Sequence, residues 1–249
     1  MQTASPLINI SIILVDTKTP ANIGAAARCM MNAGLSRLIL VNPPRDRNND
    51  AVKLAAGADA VLDNAETFFS LREAVHGHGL VVGTSRHSGR LRKNVRTPRE
   101  MAAAIGPLLA NNRVAVVFGN EINGLDNDDL ALCQDIVTIP SSDAFPSLNL
   151  SHAVMIVAYE LFIATCELSQ SSTPELALAE DRENFYLHLQ KTLQNIGFLE
   201  RDHPGRMMSS LRNIFGRSRL DSREVKILRG ILAEIDRSTG CKNPPINND

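Results

Sequence analysis

At 249 residues, with 44% hydrophobic and 21% charged side chains, the chain is long enough to bury one large core and has the composition of a globular protein. Aromatic residues make up only 4% and tryptophan is absent, which argues against a surface of stacking platforms for single-stranded bases. The net charge of −1 hides an uneven spread: residues 1–113 carry 14 Lys/Arg against 8 Asp/Glu, residues 114–181 carry 11 acids and no Lys or Arg, and residues 182–249 carry 12 against 8. A near-neutral total therefore does not exclude a polyanionic partner. Basic residues gather in RHSGRLRKNVRTPR, Arg86 to Arg99, and again between Arg201 and Arg229, and two such runs flanking a cation-free middle tilt the balance toward nucleic acid. Arg86, Arg90, Arg92 and Lys93 are the first candidates for RNA contacts.

The N-terminus, MQTASPLINI, lacks the charged start and apolar stretch of a secretory signal, and the apolar run from Ala153 to Ala164 is too short to span a bilayer, so a cytoplasmic protein with no membrane partner is expected. The four cysteines, Cys29, Cys133, Cys166 and Cys241, form no C-x-x-C pair, and no histidine pair has ligand spacing; free thiols and no metal are the expectation.

In chain order, NISIILV (Asn9–Val15) reads as a buried strand, followed by an alanine-rich helix over NIGAAARCMMNAGL with Pro20 near its start. Arg28 is a permanent cation set among small residues there. RLILV (Arg37–Val41), LVVG (Leu80–Gly83), VAVVFG (Val114–Gly119) and IVTI (Ile136–Ile139) are further strands. Helical stretches over Asp50–Gly57, Ala65–Val75, Pro98–Ala110 and Asn127–Cys133 separate them, the alternation of a parallel α/β sheet. From Asn149 to Leu168 runs a helix apolar on nearly every side, which belongs in a core or at a subunit interface. Beyond it the pattern is helical only, over Arg182–Ile196, Pro204–Phe215 and Asp221–Arg237, the last opened by an Asp221/Glu224 capping box. The expected organisation is a domain over 1–168, a Ser/Thr/Pro-bearing linker over 169–180, a helical extension over 181–240 and a disordered tail over 241–249.

Ligands of a parallel sheet bind at the carboxyl ends of its strands. The turns there begin at Gly83-Thr84-Ser85-Arg86, at Gly119-Asn120-Glu121, and at Pro140, the last running on to Asn149. None has the spacing of a dinucleotide fingerprint or a phosphate loop, which disfavours a nucleotide-dependent Rossmann-type enzyme. Because residues 114–181 hold no cation, a positively charged cofactor, or one bound mainly by backbone, fits these turns better than a phosphate-bearing one, and this points to S-adenosylmethionine.

Three ordered motifs carry a family resemblance: Asn22-x-Gly24-x-x-x-Arg28 on the alanine-rich helix, Phe118-Gly-x-Glu121-x-x-Gly124-Leu125, and Ser147-Leu-Asn149-Leu-Ser-x-Ala153. Together they resemble the SPOUT RNA methyltransferases, whose fold is an α/β-knot, a parallel sheet containing a deep trefoil knot. The C-terminal segments Phe185-Tyr-Leu-His-Leu, Met208-x-x-Leu-Arg-x-Ile-Phe and Ile227-Leu-Arg-Gly-Ile-Leu resemble the small all-helical extension of the TrmJ branch, which methylates the ribose 2′-hydroxyl of nucleotide 32 in the tRNA anticodon loop. The resemblance implies S-adenosylmethionine held in the knot by main chain around Thr84, Ser85, Arg86, Gly119, Ile139 and Pro146, Ser147 and Leu148, with Glu121 and Asn149 completing this set by bracing the loops. It also implies a homodimer in which Arg28 of one subunit faces the cofactor of the other, contacts the target ribose or its 3′ phosphate and helps activate the hydroxyl, with Ser147 beside it. Ser147 and Asn149 suit the N-cap of the long helix equally well, and His152 reads as a packed or interface histidine. Another tRNA position, ribosomal RNA, or a non-catalytic RNA-binding role on the same scaffold are the competing expectations. Departures from the family pattern are His87 after Arg86, with Arg90 displaced, Asn120 where several relatives carry Arg, and Ala144-Phe145 before Pro146.

Overall fold

The computed structural model describes residues 5–44, 49–86, 94–166, 175–199 and 205–240. The tail expected to be disordered, 241–249, and the candidate RNA contacts Arg90, Arg92 and Lys93 lie outside these residues.

Seven parallel strands form one sheet in the order β3-β2-β1-β6-β4-β7-β5. They are β1 (Ile10–Val15), β2 (Arg37–Val41), β3 (Glu66–Phe68), β4 (Leu80–Thr84), β5 (Asn94–Arg96), β6 (Val114–Phe118) and β7 (Asp135–Val137). All residues of β1 and β6 are buried, as the continuous apolar runs require of central parallel strands. Alternate residues feed two layers. Ile10, Ile12 and Leu14 of β1 join a core with α1 (Pro20–Asn32), α5 (Pro98–Ile105) and α7 (Leu150–Cys166). Ile13 and Val15 join the opposite core with α4 (Leu71–Val75) and α6 (Asn127–Leu132). β7 slots between β4 and β5, both of which precede it in the chain.

Three expectations change in the first half. The stretch read as one helix over Ala65–Val75 is the edge strand β3 followed by the short helix α4, because the hydroxyl of Ser70 caps the Glu73 amide and starts the helix six residues late. β5, not expected at all, is three residues long and too brief to show a period. α2 (Asn49–Ala55) and α3 (Asp59–Asp63) complete this half. The helix expected over Pro98–Ala110 is α only to Ile105, then 3-10, with Gly106-Pro107 at the change.

The helices α8 (Ala179–Asn195), α9 (Gly205–Arg217) and α10 (Ser222–Ser238) enclose a separate small core of Phe185, Tyr186, Leu189, Met208, Val225 and Leu232. The capping box at α10 is formed in both directions between Asp221 and Glu224. The segment leading into α8 is not a free tether: Leu176 and Ala177 are buried, the Ala179 amide donates to the His78 carbonyl at 2.8 Å, and the Ala177 amide donates to the Leu220 carbonyl at 2.9 Å. Arg182 is 4% exposed and its guanidinium donates to the carbonyls of Gly79 and Ala177, which pins α8 to the amino end of β4. Burial pushes this arginine down to about 10, so it stays charged at neutral pH.

Candidate active site

α1 leaves the carboxyl end of β1 through Asp16 to Thr19 and carries no acidic residue or side-chain cap in its first turn. Glu121, from the turn after β6, supplies what is missing. Its carboxylate accepts the Lys18 amide at 3.0 Å, the Thr19 amide at 3.2 Å and the Asn22 side-chain amide at 2.8 Å. An anion at the start of a helix meets unsatisfied N–H groups and the positive end of the dipole, so this cross-chain cap is favourable. Partial burial opposes ionisation, but the Lys18, Asn22 and Thr19 donors outweigh it and hold the Glu121 carboxyl below its usual value.

The same amide continues to the third motif. Asn149 donates to the Asn22 Oδ1 at 3.1 Å, and its own Oδ1 accepts the backbone amide of Ser151 at 2.9 Å and the Ser151 hydroxyl at 2.7 Å. Asn149 is thus the N-cap of α7, and Ser147 is left exposed with no side-chain hydrogen bond among the described residues. The two readings open for the helix start are thereby separated: Asn149 caps and Ser147 is available. Glu121, Asn22 and Asn149 form one chain of hydrogen bonds that ties together all three sequence motifs.

The glycines of those motifs have steric reasons. A Cβ at Gly24 would lie 1.9 Å from the Ala51 carbonyl oxygen, so α1 and α2 can cross only with glycine there. A Cβ at Gly119 would sit 2.0 Å from the Gly124 backbone, because the turn after β6 folds tightly back on itself. Asn120 closes this turn: its Oδ1 accepts the amides of Ile122 and Asn123 at 3.0 and 2.8 Å. The side chain that departs from the family pattern is therefore a turn-former here.

Thr84 ends β4 and Ser85 and Arg86 follow it, Gly119 and Glu121 follow β6, and Ile139 to Asn149 follow β7, so the candidate cofactor residues converge at the carboxyl ends of three adjacent strands. The Thr84 hydroxyl donates to the Val117 carbonyl at 3.0 Å and the Ser85 amide to the Val137 carbonyl at 2.9 Å, which locks the β4 turn to both neighbours. Residues 140–149 are all exposed and are closed into a loop by the Ser141 hydroxyl donating to the Pro146 carbonyl at 3.0 Å.

Arg28 is not drawn into this cluster. It is exposed, forms no ion pair among the described residues, and stands eight positions into α1, about 12 Å along the axis from the helix start that Glu121 holds. Beside it Met31 is 47% exposed, and the outward side of α7 bares Tyr159, Phe162 and Ile163; His152 is exposed on the same helix rather than packed. Of the second basic run, Arg212 is bound by Glu183 at 2.5 Å and stacked on Tyr186 at 4.3 Å, and Arg219 is bound by Asp135 at 3.1 Å. Arg206, Arg217, Arg223 and Lys226 remain exposed. Asp135 is a residue that sequence reasoning passed over; its only signal was an acid placed directly before a buried apolar strand.

The SpoU rRNA Methylase family model matches residues 9–159, and the model for the C-terminal domain of the tRNA methyltransferase TrmJ matches residues 180–244. The chain belongs to the SpoU methylase family, in its TrmJ branch. It is 43% identical over 242 residues to the tRNA (cytidine/uridine-2′-O-)-methyltransferase TrmJ of Salmonella typhimurium, covering 95% of this chain and 100% of that one. It is 42% identical over 244 residues to the tRNA (cytidine/uridine/adenosine-2′-O-)-methyltransferase TrmJ of Pseudomonas aeruginosa, covering 93% and 95%. The crystal structure of TrmJ from Z. mobilis ZM4 superposes with a TM-score of 0.78 at 34% identity, over 91% of this chain and 98% of that one. In this SpoU chain the motif positions and the helical extension occur in one molecule, as the sequence resemblance implied.

Proposed function

We propose that this chain is a homodimeric, cytoplasmic enzyme that methylates the ribose 2′-hydroxyl of nucleotide 32 in the tRNA anticodon loop. The underlying activity, S-adenosylmethionine-dependent 2′-O-methylation of tRNA, follows from its place among the TrmJ methyltransferases. The observation that carries the reading is the hydrogen-bonded chain from Glu121 through Asn22 to Asn149, which assembles the three motif segments around the carboxyl ends of β6, β4 and β7.

The residues fit the cofactor. The turns at 84–86, 119–121 and 139–148 offer main-chain groups, and no Lys or Arg occurs between 114 and 181 to repel a sulfonium. Bound there, S-adenosylmethionine supplies an electrophilic methyl group on a positively charged sulfur. Thr84, Ser85, Arg86, Gly119, Ile139 and Pro146 to Leu148 would hold it, while Glu121 and Asn149 fix the loops rather than touch it, since their polar atoms are spent on α1 and α7. The insertion of β7 between two earlier strands supports the expectation of a trefoil knot.

The position of Arg28 supports a shared site. About 12 Å down α1 from its own loops, its guanidinium is free to reach a second subunit seated on the exposed apolar side of α7. There it would clamp the ribose or its 3′ phosphate and stabilise the alkoxide that develops as the hydroxyl attacks, with Ser147 alongside. Orientation and charge stabilisation then serve in place of a conventional base. Arg86 and the exposed cations of α9 and α10 would contact the RNA backbone. The extension over 181–240 is the proposed RNA-binding and dimer-supporting unit, joined through 169–180 to the catalytic unit over 1–168.

The test is methyl transfer to tRNA lacking the modification, with the product mapped to the nucleotide, for the unmutated chain and for Arg28→Ala. Product at nucleotide 32 that vanishes in the mutant supports the proposal. Product at another tRNA position, or on ribosomal RNA alone, would refute the substrate assignment, and unimpaired transfer by the mutant would remove Arg28 from the mechanism.

A further inference from the structure

Asp135 opens β7 with 1% exposure, and three partners from two distant parts of the chain converge on its carboxylate. The Asn94 amide donates to Oδ1 at 3.1 Å, and the Arg219 guanidinium donates to Oδ2 at 3.1 Å. Arg96 Nε lies 3.5 Å from Oδ2, an ion-pair contact rather than a hydrogen bond. Asn94 and Arg96 belong to β5. Arg219 comes from the turn between α9 and α10, and its other nitrogen donates to the Ala104 carbonyl of α5 at 3.3 Å. Arg219 sits in the left-handed region, φ 49°, a conformation that favours glycine. An arginine stands at this place although its backbone would be easier without a side chain.

β7 is only three residues long, so its two ends lie about 7 Å apart and share one short piece of backbone. Two bonds at its far end tie it to its neighbours, both at 2.9 Å: the Val137 carbonyl accepts the Ser85 amide of the cofactor turn after β4, and the Thr138 amide donates to the Arg96 carbonyl of β5. β4, whose carboxyl end is Thr84, is gripped at its amino end by the extension as well, through Arg182 and the Gly79 carbonyl at 2.6 Å. The helical extension thus holds the amino ends of β4 and β7, two of the three strands whose carboxyl ends carry the cofactor turns.

We infer that Arg219 is a positioning residue for the cofactor site: by anchoring Asp135 it sets the seat of β7, so the helical extension governs affinity for S-adenosylmethionine in addition to contacting RNA. The inference rests on the proposed placement of the cofactor at the loops after β4, β6 and β7. Arg219 touches neither cofactor nor RNA in this role. A purely structural ion pair would change thermal stability and leave cofactor affinity of the folded protein unaltered.

The experiment is calorimetric titration of the full chain with S-adenosylmethionine in the absence of RNA, at a temperature where circular dichroism shows each variant folded. Arg219→Gly removes the guanidinium while relaxing the backbone, so it is the least disruptive deletion. It is expected to raise the Kd about five- to tenfold, and Arg219→Lys, which keeps the charge but cannot serve both Ala104 and Asp135, about threefold. In an Asp135→Asn background the further effect of Arg219→Gly should shrink to less than about twofold, since the pair acts as one unit. A Kd unchanged in both Arg219 variants, or effects that multiply in the double mutant, would overturn the inference. Failure of the unmutated chain to bind S-adenosylmethionine would overturn the parent reading and this one with it, which separates the two failures.

Discussion

The two ends of the central strands are built in opposite ways. At the carboxyl ends, residues 140–149 are all exposed, Phe145 among them at 79%, and Ile122 of the turn after β6 is equally bare. At the amino ends, His78, Asn112 and Asp135 are buried, met by the segment leading into α8 and by Arg219 of the helical extension. Asn112 accepts the Leu176 amide at 2.6 Å, and His78 shares a 2.9 Å hydrogen bond with the buried Ser11 hydroxyl. Burial pushes the His78 imidazole down to about 4, so it stays neutral at physiological pH. One end is left open to ligands, and the other is closed by polar groups that lose more when unpaired than surface groups do.

This contrast should be easiest to break with charge deletions at each end. Arg28→Ala, at an exposed position, is expected to cut methyl transfer by about 10²–10³-fold, the scale of losing one transition-state donor, while stability changes by less than about 0.5 kcal/mol. Single-turnover assays with a parallel denaturant melt would show it; a large stability loss would mean Arg28 is structural. Arg182→Ala should do the reverse. It strands two buried carbonyls and opens the joint to the extension, at a cost of roughly 2–4 kcal/mol by urea unfolding.

Two smaller effects lie near the open end and depend on pH. The Asp129 carboxyl is pushed up to about 6, first by burial and then by Asp126, Asp16 and Asp128. Its folded value lies above the unfolded one, so ionisation opposes folding above about pH 6 and ceases to matter below about pH 4. Asp129→Asn should therefore stabilise the protein at pH 7.5 by about 1 kcal/mol, allowing for solvent screening, and by nothing near pH 4. Glu121 has the opposite sign. Its folded value is depressed, so its contribution is present above the ordinary glutamate range and lost as pH falls through the folded value. Glu121→Gln is expected to cost about 0.5–1 kcal/mol at pH 7, with the two proteins converging in acid; a pH-independent difference would show that the carboxylate charge is not what caps α1.

The strands β1, β2, β4 and β6 and the helices α1 and α7 to α10 were legible because each is a periodic run of adequate length, bounded by proline, glycine or capping residues. β3, β5 and the early end of α4 were not, since three-residue strands exist only through their neighbours in the sheet. The second basic run looked uniformly available in sequence, yet Arg212 and Arg219 are consumed by Glu183 and Asp135. Charge composition counts cations but does not show which are already paired.

What the sequence by itself determined is the α/β architecture, the family, and the three motif segments, because hydrophobic period and turn chemistry are local properties. Only the tertiary structure decided that Asn149 and not Ser147 caps α7, that Glu121 reaches 103 residues back to cap α1, and that Asp135 joins the extension to β7. The physical reason is that the folded sheet decides which chain ends come within hydrogen-bond reach. Local spacing does not encode Glu121 to Lys18 or Asp135 to Arg219, and it offers both Ser147 and Asn149 as caps, of which Asn149 is the one held in place by Asn22.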